Sequence, residues 1–208
     1  MLPCSNPLDL GTLYKYNISM KALEKKILEE GSILPGGIIK VNSFLNQNID
    51  TAFLQEMGKE IASIYSKEKI DKILTIESSG IAIAVAAAMQ MGVPVLFAKK
   101  HKPANIPGKV LTAPIHSYTH NNDYTAVVSA DFLKEGERIL LVDDFLANGA
   151  ALEGLIEIVN QAKAVVVGAA IAIEKGFQDG GKRIRAKGIR VESLAIVESM
   201  TDNSVRFK

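Results

Sequence analysis

The sequence predicts an α/β domain built on a mostly parallel central sheet, and three observations carry that expectation. The apolar runs Ile139–Val142 and Ala164–Ile173 are continuous rather than alternating, as in strands buried on both faces. From Ile70 onward such runs alternate with helical stretches, the βαβ order that imposes parallel pairing. The chain has 208 residues, 48% of them apolar, which suits one domain with a sizeable core.

The elements follow in order. The first 19 residues carry two prolines, a glycine and no clear period. They are expected to be an N-terminal extension, non-native or disordered, with Met20 a candidate true start. A single domain is expected over 20–208. Met20 opens a helix with Leu23, Ile27 and Leu28 on one face and Gly31 as its stop. Loop or short strands run to Asp50, and a second helix covers about 51–67. Residues 20–50, with the C-terminal tail, are expected to form a small cap. Strand 73–76, turn 77–80, helix 81–91 and strand 93–98 make one βαβ unit. The helix in it is apolar nearly all round, so burial is expected. Residues 99–123 hold three prolines and all three histidines. They read as a long irregular excursion, the kind that serves as a lid. Strands at 124–128, 139–142, 164–173 and 191–197 and a helix at about 150–162 complete the domain.

Composition excludes several classes. With 24 basic and 23 acidic residues the net charge is +1, unlike a nucleic-acid binder. No apolar run is long enough to cross a bilayer, and no signal peptide is visible, so no membrane partner and a cytoplasmic location are expected. The single cysteine, Cys4, cannot form an intramolecular disulfide. His116 and His120 stand four apart, but in an irregular segment, and a zinc site is not expected. No GxGxxG follows a strand and no GxxxxGK[ST] is present, which disfavours dinucleotide and P-loop enzymes.

The chemistry concentrates in Ile139–Leu155. A buried strand ends in Asp143 and Asp144, and a short loop, Phe145 to Ala151, leads into a helix. Ligands of open α/β sheets bind at the carboxyl ends of strands. A helix N-terminus offers amides to an anion, and small residues let backbone approach a phosphate. Two acids would repel pyrophosphate alone, yet they suit a ligand that also offers ribose hydroxyls. The segment therefore suggests a sugar phosphate.

These residues resemble the type I phosphoribosyltransferase signature. VNSFLNQNID, TIESSGIA, PVLFAKKHK, VDDFLANG and IEKGFQ are similar, in the same order, to bacterial xanthine phosphoribosyltransferases. The resemblance implies the type I phosphoribosyltransferase fold with a small N-terminal hood. It implies transfer of phosphoribosyl from 5-phosphoribosyl-1-pyrophosphate (PRPP) to xanthine in purine salvage, giving xanthosine 5′-monophosphate. Asp143 and Asp144 would hold the ribose hydroxyls. Ala147, Asn148, Gly149, Ala150 and Ala151 would cradle the 5′-phosphate. Glu77, Ser78, Ser79, Gly80 and Lys100 would lie on the pyrophosphate side. Ile39, Asn46 and Lys175 would form the xanthine pocket. The excursion from Lys99, with Lys100 and Lys102, would close over the reaction. Mg2+ would arrive on PRPP with no protein ligands of its own, and the enzyme would be a homodimer. Family members often carry glutamine where this chain has Ala150, but backbone amides do not need that side chain.

Each feature also has a plainer reading. Adjacent acids after a strand commonly make a solvated turn with a helix cap. Glu77–Gly80 could be a helix start with a serine cap, Lys175 a surface lysine, Asn46 a turn residue, and the lysines near 100 a solvated loop. The functional alternatives are a guanine/hypoxanthine-type enzyme and a non-catalytic, PRPP-sensing purine regulator that binds DNA.

Overall fold

The computed structural model describes residues 20–100, 108–117 and 122–208. The expected extension at 1–19, and Lys102 and His120, lie outside the described residues.

The helix expected from Met20 is α1 (Lys21–Glu30), closed by Gly31. Leu23 and Ile27 are fully enclosed, but Leu28 is 58% exposed; the buried stripe passes through Glu24 instead. Two short strands, β1 (Ser32–Leu34) and β2 (Ile38–Lys40), pair as an antiparallel hairpin. A π-helical turn at Asn42–Asn46 leads to α2 (Thr51–Ile64), capped by the Asp50 side chain on Phe53 N at 3.0 Å. The βαβ unit is β3 (Lys72–Ile76), α3 (Gly80–Met91) and β4 (Val95–Ala98).

The excursion is more regular than expected. Val110–Ser117 forms β5, paired antiparallel with β6 (Asn122–Ser129). Alternation explains it: Leu111, Ala113 and Ile115 turn inward, while Pro114 and His116 face out. The strands β7 (Arg138–Leu146) and β8 (Val165–Lys175) flank α4 (Ala150–Gln161). A short helix that sequence reading missed, α5 (Gly180–Ala186), precedes β9 (Val191–Met200), and the tail ends in β10 (Val205–Phe207).

The main sheet has the order β10-β9-β8-β7-β3-β4, parallel except for β10. The tail thus joins the sheet edge, and Val205 and Phe207 pack into the same apolar cluster as Leu23 and Ile27 of α1. Successive residues of β7 serve opposite cores. Leu140 and Val142 meet α2 and α3, whereas Ile139 and Leu141 meet α4, α5 and the β5–β6 hairpin. α3 is not covered all round: Met89 is 76% and Val85 42% exposed. No helix among the described residues is long and apolar enough to cross a membrane.

Tyr65 locks α2 to the sheet. Its hydroxyl donates to Ala169 O at 2.9 Å, and its ring is fully enclosed beneath the Arg190 guanidinium. Tyr65→Phe removes one buried hydrogen bond and is expected to cost about 1–1.5 kcal/mol. A thermal melt should show a midpoint lower by roughly 2–6 °C.

Candidate active site

Sheet order decides where the site forms. β7 lies between β8 and β3, so the segments after these three strands converge at one end of the sheet. They are the Glu77–Gly80 turn after β3, the acid pair and loop of β7, and Lys175 closing β8.

The strand β7 continues to Leu146, past the loop start expected at Phe145. Asp143 and Asp144 therefore sit inside a strand and are only 6% and 9% exposed. A solvated turn would not bury them. Asp143 Oδ1 accepts from Asp144 N, and Asp144 Oδ1 accepts from Phe145 N, both at 3.0 Å. Asn46 Nδ2 donates to Asp144 Oδ2 at 3.0 Å, tying the π-helical turn to the acid pair. Burial, followed by the neighbouring Asp144 carboxylate, pushes the Asp143 carboxyl well above its usual range; Lys100 pulls weakly the other way.

The loop proper is reduced to Ala147–Gly149. Gly149 stands at φ +87°, which admits glycine readily, and it begins α4 with no side-chain cap. Asn148 Oδ1 instead accepts from Ala150 N at 3.1 Å. The remaining first-turn amides of α4 are oriented as helix N-termini present them to an anion. Ala150 and Ala151 line the resulting cleft of about 140 Å³, together with Asp143, Phe145, Ala147, Asn148 and Gly149. A larger groove, about 870 Å³, lies over β9 and α5 among mixed acidic and basic side chains, away from the acid pair. The smaller cleft is the one lined by Asp143 and the small-residue loop.

Three further features escaped the sequence reading. His116 and Tyr124, from the β5–β6 hairpin, also line the cleft. Gly180 N donates to Ala147 O at 3.2 Å, and α5 begins directly against the loop. A Cβ on Gly180 would overlap Ala147 O and stand 2.6 Å from Asn148 C. Gly180→Ala must therefore push the loop aside, and it is expected to raise KM for a substrate seated on the loop about tenfold and to cost about 1–3 kcal/mol of stability. Steady-state kinetics and a melt on the same sample check both.

After β3, Glu77 Oε1 accepts from Lys100 N at 2.6 Å, and Glu77–Ser78 is a cis peptide. Ser79 makes no side-chain cap bond to α3, so the plain serine-cap reading does not hold. Lys100 Nζ lies 5.4 Å over the Tyr124 ring. Lys99 pairs through its backbone with Val127. On the cap side, Lys175 Nζ donates to Gly37 O at 2.9 Å and lies 6.0 Å over the Phe145 ring. Lys175 is half-buried, and that burial lowers its pKa, so it is not a plain surface lysine. Ile39 is buried in the same apolar cluster as Leu140 and Val142 of β7, and Asn46 is exposed except for its bond to Asp144.

Residues 46–201 match the family pattern described as "Phosphoribosyl transferase domain". The chain belongs to the phosphoribosyltransferase family. A phosphoribosyltransferase match over that range takes in the acid pair, the small-residue loop, the Glu77–Gly80 turn and Lys175, but not Ile39. The chain is 52% identical over 189 residues to the xanthine phosphoribosyltransferase of Oceanobacillus iheyensis, covering 91% of this chain and 97% of that protein. It is 51% identical over 190 residues to xanthine phosphoribosyltransferase 1 of Clostridium perfringens, covering 91% and 100%. In fold it is similar to the adenine phosphoribosyltransferase of Giardia lamblia bound to 9-deazaadenine, with a TM-score of 0.72 at 23% identity over 88% of this chain and 100% of that one. The adenine phosphoribosyltransferase of Thermoanaerobacter pseudethanolicus gives 0.70 at 23% identity, over 84% and 98%. The type I phosphoribosyltransferase fold expected from the sequence is the fold observed.

Among the described residues no group of three or more His, Cys, Asp or Glu gathers as a metal site.

Proposed function

We propose that this phosphoribosyltransferase joins xanthine to PRPP, giving xanthosine 5′-monophosphate and pyrophosphate. The observation that carries the reading is the buried acid pair of β7 beside the start of α4, with Lys175 over Phe145 of the same strand. The similarity to two xanthine phosphoribosyltransferases at about half identity supports the choice of base.

In the reaction a purine nitrogen forms a bond to the anomeric carbon and loses its proton, while the bond from that carbon to the pyrophosphate oxygen breaks. Positive character grows on the sugar and negative charge on the leaving group, and no covalent nucleophile is required. Catalysis then rests on positioning and electrostatics. Asp143 and Asp144 accept hydrogen bonds from the ribose hydroxyls. The amides of Ala147–Ala151 hold the 5′-phosphate. Glu77, Ser78, Ser79 and Gly80, with Lys100, flank the pyrophosphate. Lys175 donates to an oxo group of the base, the remaining Asn46 amide proton is directed at the other, and Ile39 closes the pocket behind them. Adenine would present an amino group to Lys175, pairing donor with donor. Magnesium carried on PRPP, with no protein ligands of its own, would neutralise the leaving pyrophosphate. Closure over the bound substrates would exclude the water that otherwise hydrolyses the activated sugar. Exposed Val85 and Met89 on α3 and Phe97 on the edge strand β4 support a homodimer, working in the cytoplasm.

The test is a stoichiometric one. Xanthine and PRPP with magnesium should yield xanthosine 5′-monophosphate and pyrophosphate in equal amounts. Binding of PRPP without any product would replace the enzyme reading with the sensing regulator.

A further inference from the structure

Thr75 is the last polar residue of β3 before the Glu77–Gly80 turn, and it is fully buried. Its hydroxyl oxygen is the single buried side-chain polar atom without a hydrogen-bond partner among the described residues. Leaving such a group unpaired is costly, and native proteins pair nearly all of them. The location of the exception is informative. A Cβ on Gly80 would overlap the Thr75 hydroxyl and lie 2.9 Å from Asp143 Oδ1. The hydroxyl and the inner carboxyl oxygen thus converge on one point beneath the first turn of α3. Thr75 cannot reach substrate, because no part of it is exposed. It can reach only the group that does.

We propose that Thr75 is a positioning residue for Asp143, its hydroxyl donating to the inner carboxylate oxygen when the outer one takes the ribose hydroxyls. The proposal rests on the reading of Asp143 as a ribose acceptor. Asp143 Oδ1 already accepts from Asp144 N, and the Thr75 hydroxyl has no partner of its own. When the ribose draws on the carboxylate, a second donor on the inner oxygen holds its orientation and stabilises its charge. The unpaired hydroxyl is then a stability cost retained for the liganded state. Gly80 belongs to the same arrangement, since only a residue without Cβ leaves room for the approach.

Thr75→Val replaces the hydroxyl by a methyl of similar shape, and Thr75→Ser keeps the hydroxyl. For Thr75→Val the expected result is a KM for PRPP raised about tenfold, the factor for one charge-assisted hydrogen bond. The KM for xanthine should stay within about twofold, and the substrate-free melting midpoint should be no lower than wild type. Thr75→Ser should restore the PRPP KM. Asp143→Ala is measured alongside. If Asp143→Ala is inactive and Thr75→Val has wild-type kinetics, the role of Thr75 is wrong. The same holds if Thr75→Ser is as impaired as Thr75→Val. If Asp143→Ala is itself fully active, the reading of the site fails first.

Discussion

Asp143→Ala is expected to lower kcat/KM for PRPP by about 10²–10³-fold, a loss of about 3–4 kcal/mol in transition-state stabilisation. The size follows from what the side chain does. It is almost wholly buried, its charge is disfavoured by burial and by Asp144, and it lines the cleft with the Ala147–Gly149 loop. A carboxyl kept there at such a cost needs a compensating partner, and in the proposed reaction the ribose hydroxyls would be that partner. The substitution removes the interaction and leaves water in its place. Folding should persist, because the backbone bonds of β7 to β8 and β3 do not involve this side chain. Steady-state kinetics with varied PRPP, beside a melt, separates the two effects.

Lys175→Met carries the second large effect. The ammonium is half-buried, held to Gly37 O at 2.9 Å and set over Phe145. Methionine keeps the length and apolar stem but cannot donate. The kcat/KM for xanthine should fall about 10–100-fold, as when a charged hydrogen bond to a buried oxo group is lost. The KM for PRPP should move less than about threefold, since the proposed reading gives the lysine to the base and not to the sugar phosphate. A change confined to PRPP would place Lys175 on the wrong flank of the site.

Much of this was legible in the sequence, for identifiable reasons. Continuous apolar runs gave β7 and β8 because each successive residue serves a different core, Leu140 one and Leu141 the other. The acid pair stood out because charges at the end of such a run are unusual. What stayed hidden depends on distant partners. The strand β7 reaches Leu146 through its pairing with β8, where Phe145 meets Ile173, a contact no local pattern contains. β5 was obscured by Pro114 and the histidines, although Leu111, Ala113 and Ile115 alternate inward. α5 is only seven residues long and opens on two glycines, so propensity argues against it. Gly180 is set by the approach of the Ala147–Gly149 loop and Gly181 by the Glu174 carboxylate and the Arg185 guanidinium, and neither crowding can be found without the distant partner. Leu28 and Met89 look like core residues by periodicity, and nothing local says that their faces are exposed.

The most direct measurement is magnesium-dependent turnover of the purified protein with PRPP and each of xanthine, guanine, hypoxanthine and adenine in turn. Xanthine should have the highest kcat/KM and adenine no detectable turnover. Preferred turnover of adenine, or no preference for xanthine over guanine and hypoxanthine, would contradict the assignment of Lys175 and Asn46 to a dioxopurine.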